Sequence, residues 1–372
     1  MEPNKGFKNS ILKFTANNAH LFPEGFIKRA LSRAEFLPEI LKKDYNQPEH
    51  NLAIWTYINR ISTPERIKKG RKCFAHLKQD LNSIAASYGV PPSIILAIWG
   101  IETSFGQARG DLKVLSTLAT LAYDGRRQEF FTNELTAALK ILKSKSVKQE
   151  DLLGSWAGAM GHTQFMPSAY LSHAVDYDKD GVADIWSDNP IDALASTASY
   201  LKNNGWLNGV PWGENVSVAQ DFDYASTGPD IRRTASNWVK LGVNCKNLDV
   251  KTSGSIVMPS GRAGPKFLTT PNFEVLKTYN RSTAYALGVA LLSDQINGKT
   301  APVLNWQKNE KPLTRSEISE LQKLLTAQGY DTQGADGLVG PNTEKAIRKF
   351  QKQNNHIQDG FHSTLILKML RS

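Results

Sequence analysis

The segment Pro91–Gly106, PPSIILAIWGIETSFG, constrains the fold of this chain more than any other stretch. Its tandem prolines fit the first turn of a helix, and Gly106 fits the exit from it. Four residues share one face of the predicted helix at positions i, i+3, i+4 and i+7: Ile95, Ile98, Trp99 and Glu102. A carboxylate therefore continues an apolar stripe in the last turn of a helix.

The position of Glu102 predicts an unusual acid. Desolvation and the negative end of the helix dipole both favour the protonated form, so we expect a raised pKa. A carboxyl group of this kind can give a proton to a leaving oxygen near neutral pH. The spacing alone leaves open a helix-end Glu102 whose carboxylate points into water.

Helical patterning extends over most of the chain. Apolar residues at spacings of three and four predict helices over Pro64–Tyr88, Pro91–Thr103, Leu112–Tyr123, Gln128–Ser144, Ile191–Asn203 and Thr283–Asn297. Between Val210 and Phe273 the pattern changes to short polar–apolar runs with Gly and Pro, which predicts a small β-containing insertion. The expected fold is mainly α, in the α+β class.

The length of 372 residues allows about two or three domains. We expect one body over residues 1–300, a linker over residues 301–312 and a compact domain over residues 313–372. A content of 40% hydrophobic and 22% charged residues excludes collagen, coiled coil and wholesale disorder. No run approaches the ~18 uninterrupted apolar residues that a membrane-spanning helix needs.

The net charge, the first fifteen residues and the two cysteines bear on the binding partners and the cellular compartment of the protein. The net charge of +10 favours anionic partners, but no motif that reads nucleic-acid grooves is present, so nucleic acid is not expected. Residues 1–15 hold no apolar stretch of about 7–15 residues and are not a secretory signal as they stand. A cytoplasmic protein and one whose leader is missing from this sequence both remain open. Cys73 and Cys245 either pair or remain thiols.

Three strings resemble the lytic murein transglycosylase B family: GIETSFG, SWAGAMGHTQFMPSAYL at Ser155–Leu171, and YNRSTAYALGVALLSDQI from Tyr279. The resemblance spans roughly residues 26–296, in the order and at the separations of that family. It implies a lysozyme-like catalytic fold. It also implies cleavage of the β-1,4 bond between N-acetylmuramic acid and N-acetylglucosamine in peptidoglycan, with ring closure to a 1,6-anhydro product.

The resemblance assigns roles to individual residues. Glu102 maps onto the carboxylic acid that performs both proton transfers. The residues that support this acid or line sugar subsites map onto Ser155, Gln164, Tyr200, Tyr279, Asn280 and Tyr285. Tyr200 is matched by spacing alone, outside the three strings. No cofactor is expected for catalysis.

The chemistry that the resemblance implies needs one protein carboxyl group. Glu102 protonates the glycosidic oxygen, the 2-acetamido group of the sugar holds the developing positive charge, and the anionic Glu102 then takes the proton of the C6 hydroxyl. A conventional hydrolase needs a second, opposed carboxylate. Asp111 and Asp124 are near in sequence, but nothing in the pattern places either across a sugar. A muramidase that uses water and a non-catalytic wall-binding scaffold are the alternatives.

A loop of aspartates predicts a cation site. Oxygen ligands at positions 1, 3, 5, 7 and 9 of an EF-hand-like loop, around Gly181 at position 6, are Asp176, Asp178, Asp180, the Val182 carbonyl and Asp184. Ser187 stands at position 12, where a bidentate Glu is expected, and Asp188 is a substitute if the loop is one residue longer. The resemblance favours a structural Ca²⁺ that braces the loop. The alternative is a solvated Asp-Gly turn.

The last 60 residues resemble the peptidoglycan-binding domain 1 family. They contain two amphipathic helices, an Asp336-Gly337 turn between them, and a helix start at Gly340-Pro341-Asn342-Thr343. The apolar positions of the two helices are Leu321, Leu324, Leu325, Ala346, Ile347 and Phe350. The resemblance implies three small helices that hold the cell-wall polymer and raise the local concentration of substrate.

Together the two resemblances predict a periplasmic enzyme with peptidoglycan glycan strands as its partner. Other cell-wall enzymes are further candidate partners. A membrane enters this prediction only through a lipid anchor that the given sequence does not contain, and anchorage to the outer membrane is left open. Exo and endo cleavage also remain open, because the sequence does not show how far a glycan groove extends.

Overall fold

Most of the chain is helical, as the hydrophobic spacing predicts. The computed structural model describes residues 3–45, 52–308 and 310–372. The α-helices that it contains are α1 Pro3–Asn18, α2 Phe26–Leu31, α3 Pro38–Tyr45, α4 Ile54–Ile61, α5 Pro64–His76, α6 Lys78–Tyr88, α7 Pro92–Thr103, α8 Val114–Asp124, α9 Gln128–Ser144, α10 Pro167–His173, α11 Ile191–Asn203, α12 Ala235–Lys240, α13 Pro271–Tyr279, α14 Thr283–Ile296, α15 Arg315–Ala327, α16 Pro341–Gln353 and α17 Thr364–Arg371. The strands are β1 Leu112–Lys113, β2 Leu153–Gly154, β3 Gly213–Val218, β4 Arg233–Thr234, β5 Val243–Asn244, β6 Ser253–Val257 and β7 Lys266–Thr269. A mainly α fold with a small β-containing insertion is confirmed.

Two helix predictions need correction. The single helix expected over Pro64–Tyr88 is two helices, α5 and α6, because Leu77 leaves helical geometry with φ −101° and ψ 21°. The helix expected from Leu112 begins instead at Val114. The residues before it form β1, which pairs with β2 about forty residues later in the chain. A local pattern does not contain that distant partner.

Helix α7 lies in the interior. Its buried residues, on all sides of the helix, are Ile94, Ile95, Leu96, Ala97, Ile98, Trp99, Gly100 and Thr103. A helix that is apolar all round has to be enclosed by other elements. Helices α5, α6 and α11 pack against it. The turn that carries Glu102 is therefore anchored in a rigid core.

The chain forms two compact units that interleave in sequence. The first consists of Met1–Gln47 and Pro64–Asn204, and the second of Pro48–Thr63 and Gly205–Ser372. Helix α4 thus belongs to the second unit, where it packs against α14. Within the first unit, α8 and α9 pack against each other, α3 packs against α8, and α10 packs against α9.

The β-containing insertion of the second unit is one antiparallel sheet of five strands in the order β4-β6-β7-β3-β5. In its register, Thr269 lies between Ser255 on β6 and Gly213 on β3. Trp238 on α12 is fully buried against the sheet, and its indole N–H donates a hydrogen bond of 2.9 Å to the Gly254 carbonyl. The core of this insertion consists of Val216, Phe222, Ala235, Trp238, Val243, Leu248, Ile256 and Leu268.

The C-terminal helical region, residues 313–372, is built from α15, α16 and α17. A capping box starts α15: the Glu317 N–H donates to Thr314 Oγ1 at 3.3 Å, and the Thr314 N–H donates to Glu317 Oε2 at 2.7 Å. Its buried core is Leu313, Leu321, Leu325, Ala346, Ile347, Phe350, Ile366, Leu367 and Leu370.

The same pair of hydrogen bonds from a glutamine side chain to an Asp-Gly bend occurs twice in this region. The Gln322 amide accepts a hydrogen bond from the Gly337 N–H at 2.9 Å and donates one to Asp336 Oδ1 at 3.2 Å. The Gln351 amide repeats both contacts with the Gly360 N–H, at 2.9 Å, and with Asp359 Oδ1, at 2.7 Å. Both glutamines are buried. Each Asp-Gly bend is therefore fixed from the neighbouring helix by a satisfied buried amide.

No single helix in the described part of the chain is both long and apolar enough to cross a membrane; the pair α6 and α7, bent by 111°, reaches that length and composition only jointly.

Cys73 and Cys245 are free thiols. Burial raises the pKa of the Cys245 thiol to about 11, and its S–H donates to Glu214 Oε1 at 2.9 Å.

Candidate active site

Glu102 lies in the last turn of α7 and is half-buried. The helix ends at Thr103, where the apolar spacing predicts its end, and Gly106 lies in the turn that follows. Three successive residues then adopt left-handed backbone, with φ of 52° at Ser104, 60° at Phe105 and 80° at Gly106. Ser104 takes the capping position that glycine usually fills. Left-handed backbone costs a residue such as Phe105 about 1–2 kcal/mol, so its surroundings must hold it.

Contacts from α5 and α7 hold this turn. The Lys69 ammonium donates a hydrogen bond of 2.7 Å to the Ser104 carbonyl, and it lies 5.5 Å from the centre of the Phe105 ring. A cation at a helix C-terminus satisfies an unpaired carbonyl and complements the helix dipole. The buried Phe105 ring meets Trp99 edge to face at 5.5 Å and fits against Gly100, where a β-carbon would lie 2.7 Å from Cζ.

His162, in the GHTQF string, contacts the same turn. Its Nδ1 accepts a hydrogen bond of 3.1 Å from the Trp99 indole N–H. Its carbonyl oxygen accepts one of 2.6 Å from Thr103 Oγ1, and that hydroxyl in turn accepts the Gly106 N–H at 3.0 Å. These contacts were not predicted from the sequence, because the partners are separated by about sixty residues.

Ser155 begins a tight loop. Its N–H donates to the Ala159 carbonyl at 2.8 Å, and its Oγ accepts the Ala159 N–H at 3.2 Å. Gly158 has φ 83°, and a β-carbon there would lie 2.5 Å from Leu118 Cδ2, which accounts for a glycine at this position. The loop is therefore closely packed on α8, and the Ser155 hydroxyl contributes to its shape.

Gln164 lies further along this loop with left-handed backbone, φ 55°. Its side-chain amide donates to the Arg109 carbonyl at 3.1 Å and to the Gly161 carbonyl at 3.0 Å. Both amide protons are used within the protein, which leaves the amide oxygen as the atom suited to a ligand N–H or O–H.

Tyr200 is half-buried near the end of α11. Its ring lies 5.8 Å from that of Phe165 and 4.8 Å from the imidazole of His173. Since Phe165 follows Gln164 directly, the structure brings Tyr200 next to the loop that begins at Ser155. Spacing alone suggested this residue, and the aromatic contacts give it a defined place.

Tyr279, Asn280 and Tyr285 occupy the junction between α13 and α14. The rings of Tyr279 and Tyr285 are stacked, 6.5 Å apart and 8° from parallel. Asn280 Oδ1 accepts the Ser282 N–H at 3.0 Å, and Ser282 Oγ caps α14 by accepting the Tyr285 N–H at 3.3 Å. Tyr285 is 3% exposed and forms part of the core, whereas Asn280 is exposed.

The predicted site residues are therefore divided between the two compact units. Those of the first unit are Glu102, Ser155, Gln164 and Tyr200, and those of the second are Tyr279, Asn280 and Tyr285.

Two carboxylates of the aspartate loop lie close to a third one from outside it. Side-chain oxygens of Asp176, Asp178 and Asp192 lie within 4.8 Å of one another. Asp192, in the first turn of α11, is 4% exposed, and burial raises its pKa. The sequence prediction missed it because it lies outside a twelve-residue loop. The sequence signal that could have found it is an Asp in the first turn of the otherwise apolar helix start Ile191–Ala195.

The other predicted ligands of the loop also contact backbone N–H groups. Asp180 Oδ1 accepts the Val182 N–H at 2.9 Å, and Asp184 Oδ1 accepts the Trp186 N–H at 2.8 Å. Asp188, the suggested substitute at position 12, instead pairs with Arg109, Nη2 to Oδ1 at 2.8 Å. The hard carboxylate oxygens that converge in this loop suit Ca²⁺ in their chemistry.

The family of the transglycosylase SLT domain matches residues 6–294. The chain belongs to this transglycosylase family. A peptidoglycan binding domain family matches residues 314–370, over the C-terminal helical region. Both resemblances drawn from the sequence strings are thereby confirmed.

Relatives of this SLT transglycosylase include the membrane-bound lytic murein transglycosylase B of Escherichia coli, 31% identical over 293 residues, which cover 75% of this chain and 80% of that protein. Among solved structures, SltB3 from Pseudomonas aeruginosa, in complex with NAG-anhNAM-pentapeptide, is 39% identical with a TM-score of 0.91 over 98% of this chain and 99% of that one. Escherichia coli Slt35 in complex with calcium is 31% identical with a TM-score of 0.68 over 78% and 92%. These neighbours confirm the lysozyme-like SLT fold.

Proposed function

We propose that this chain is a lytic transglycosylase that cleaves the β-1,4 bond between N-acetylmuramic acid and N-acetylglucosamine in peptidoglycan and leaves 1,6-anhydromuramyl ends. One observation carries the proposal. The SltB3 structure that aligns with 98% of this chain at 39% identity holds a 1,6-anhydro sugar, NAG-anhNAM-pentapeptide. A relative with the product of intramolecular ring closure in its complex favours a transglycosylase over an enzyme that uses water.

Glu102 is the proposed acid and base. As an acid it protonates the glycosidic oxygen, while the 2-acetamido group of the muramyl residue stabilises the positive charge at C1. As a carboxylate it then removes the proton from the C6 hydroxyl, whose oxygen bonds to C1 and closes the ring. The half-buried position of Glu102 at a helix C-terminus supports this role, because both factors favour the protonated carboxyl group before reaction.

The remaining site residues are proposed to hold the sugars or to shape the site. The free amide oxygen of Gln164 suits an N-acetyl N–H or a sugar hydroxyl, and the exposed Asn280 can offer a similar contact. The half-buried rings of Tyr200 and Tyr279 suit the faces of sugars. Ser155 and the buried Tyr285 support the loop and the helix junction on which these side chains lie.

We propose the domain organisation that the sequence suggests. Residues 1–300 form the catalytic domain, residues 301–312 form a linker, and residues 313–372 bind the cell wall. Peptidoglycan strands are the partner, and the periplasm is the compartment in which such a substrate is met. Other cell-wall enzymes as partners, and a lipid anchor to the outer membrane, stay predictions from the resemblance.

A structural Ca²⁺ is proposed for the aspartate loop, held by Asp176, Asp178, Asp180, the Val182 carbonyl and Asp184, with Asp192 added from the structure. The convergence of three carboxylates within 4.8 Å supports it, since a divalent cation offsets their repulsion. The calcium complex of Slt35 adds support from a relative. The ion would supply rigidity to the loop and takes no part in proton transfer.

The decisive experiment is mass spectrometry of the fragments that the protein releases from purified sacculi. We expect muramyl ends that are 18 Da lighter than the hydrated reducing ends, because water does not enter the product. Hydrated reducing ends alone would identify a water-using muramidase. Binding to sacculi without any release of fragments would identify a non-catalytic scaffold.

A further inference from the structure

His162 connects the turn that carries Glu102 to the end of the aspartate loop. We propose that His162 is a positioning residue, which fixes the Glu102 carboxyl group for proton transfer through Trp99 and Thr103. The inference rests on the proposed role of Glu102, and it gives His162 of the GHTQF string a role towards the acid, beside the sugar contact proposed for Gln164.

The contacts of His162 bracket the acid in sequence. Trp99 lies three residues before Glu102 and Thr103 one residue after it, so both belong to the same helical turn. The imidazole Nδ1 accepts from the Trp99 indole at 3.1 Å, and the His162 carbonyl accepts from Thr103 Oγ1 at 2.6 Å. One residue therefore holds the helix on both sides of Glu102, with its ring and with its backbone.

The other side of His162 is held by the segment after Asp184. Its N–H donates to the Ile185 carbonyl at 3.0 Å, and its Nε2 lies 2.7 Å from the Ser187 carbonyl. The same segment is fixed by the Arg109 guanidinium, which donates to the Trp186 and Ser187 carbonyls at 2.8 and 2.6 Å. The Arg109 guanidinium thus stabilises the segment to which His162 is hydrogen-bonded.

The hydrogen-bond partners assign one tautomer to the ring. An indole N–H can only donate, so Nδ1 of His162 accepts and the proton resides on Nε2, where it reaches the Ser187 carbonyl. Burial lowers the pKa of His162, and the Arg109 guanidinium, 3.2 Å from Nε2, disfavours a second proton in spite of Asp184 and Asp188 nearby. The neutral ring therefore accepts a hydrogen bond from Trp99 at Nδ1 and donates one to Ser187 at Nε2.

The space around the ring leaves little freedom. A β-carbon on Gly106 would lie 2.6 Å from both Cε1 and Nδ1 of His162, so the left-handed turn after α7 passes directly over the imidazole. Productive proton transfer requires the acid to be held within about 0.5 Å of its place, and a displacement of about 1 Å can cost a hundredfold in rate. A close-fitting, doubly hydrogen-bonded support meets that requirement.

The first test, His162→Phe, replaces the imidazole by a ring without polar atoms. On short soluble glycans, at a temperature where the variant is folded, kcat should fall by about tenfold to a hundredfold while KM changes by less than about twofold. Leu139→Ala, in the buried face of α9, is the matched control. It should lower Tm at least as much and keep kcat within about twofold of the parent value.

Two polar variants separate the two ends of the ring. Asn in place of His162 offers Oδ1 where Nδ1 accepts from Trp99, whereas Gln offers an amide N–H where Nε2 donates to Ser187. We expect His162→Asn to recover more of kcat than His162→Gln does. Trp99→Phe removes the same hydrogen bond from the side of the helix. In the double variant Trp99→Phe/His162→Phe, kcat should therefore be little lower than in the more impaired single variant.

The proposal is overturned if His162→Phe keeps kcat within about twofold of the parent, or if its loss and that of Trp99→Phe simply multiply. If His162→Phe does not fold, equal kcat values for the Asn and Gln variants overturn it instead. A parent protein that releases no anhydromuramyl ends refutes the proposed function, which is a distinguishable failure.

Discussion

Arg348 Nη1 donates a hydrogen bond of 3.1 Å to the carbonyl oxygen of Tyr224, and so joins the C-terminal helical region to the β-containing insertion. The same guanidinium donates to the carbonyl oxygens of Gln358 and Asp359, and Asp359 Oδ2 accepts the Arg262 N–H at 3.1 Å. Arg348 is only 9% exposed. The two regions therefore share a specific polar contact within the second unit.

Arg348→Met should destabilise the second unit by about 2 kcal/mol or more, because it leaves several half-buried carbonyl oxygens without their charged donor. Urea unfolding followed by far-UV circular dichroism measures the change. Lys352→Met, on the exposed face of the same helix, should stay within about 0.5 kcal/mol of the parent. Equal stabilities for the two variants would show that the Arg348 contacts contribute nothing.

Glu102→Gln should abolish the release of fragments from sacculi, by about a thousandfold or more, because the amide can neither protonate the glycosidic oxygen nor accept the C6 proton. Sedimentation with insoluble sacculi should show binding close to that of the parent. Glu129→Gln, at the exposed start of α9, is the control and should keep full activity. Retention of most of the activity by Glu102→Gln would remove this residue from its proposed role.

Gly106→Ala and Gly125→Ala separate backbone strain from steric overlap. Both glycines are left-handed, with φ of 80° and 87°, but a β-carbon at Gly125 meets nothing within 4 Å, whereas one at Gly106 overlaps His162. We expect Gly125→Ala to cost about 1–2 kcal/mol and to leave activity intact. Gly106→Ala should cost more in thermal denaturation and should also lower kcat. Similar losses in both variants would contradict the close fit against the imidazole.

Millimolar Ca²⁺ should raise Tm of the parent protein, because an ion that binds only the folded state stabilises it by mass action. Asp192→Asn should remove most of that increase in differential scanning calorimetry. Asp188→Asn should retain it, since that carboxylate pairs with Arg109 outside the cluster. The reverse outcome for these two variants would assign the twelfth-position role to Asp188. No increase in the parent would favour the solvated turn.

Acidification should weaken the C-terminal helical region through His362. Burial lowers the pKa of His362 to about 4, from an ordinary value of 6.5. Between those values the unfolded chain binds more protons than the folded one, so stability is full above about pH 6.5 and falls as the pH drops towards 4. The loss should be about 1–3 kcal/mol.

The measurement is the difference in unfolding free energy between pH 7.5 and pH 4.5 for the parent and for His362→Asn. The variant should show a smaller difference, since it cannot take up that proton. His356→Asn, at an exposed position of the same region, should keep the parent difference. An unchanged difference in His362→Asn would contradict the assignment.

The sequence predicts those parts of the fold that local periodicity encodes. The bounds of α9 and α11 match the predicted segments, because an amphipathic pattern is complete within each helix. The break at Leu77 and the strand at Leu112 were not predictable in this way. Leu77 is neither glycine nor proline, and Leu112 becomes a strand residue only through its pairing with Gly154.

The candidate site follows the same rule. Glu102 stands out within one short helix, and the aspartates of the loop show a local spacing. Asp192 and His162 were missed because their meaning depends on contacts across the fold: Asp192 approaches the loop from α11, and His162 meets Trp99 about sixty positions away in the chain. Residue types and spacing do not encode such distant contacts, which tertiary packing creates.

The left-handed run Ser104-Phe105-Gly106 restricts how this stretch can diverge. In a saturation library sorted for activity, position 106 should remain glycine almost without exception. Besides the serine present, position 104 should admit chiefly asparagine, aspartate and glycine, the residues whose backbone tolerates that geometry. An insertion or deletion there would rotate the preceding helical turn out of register with its supports. This tripeptide should therefore drift more slowly than the exposed loops around it.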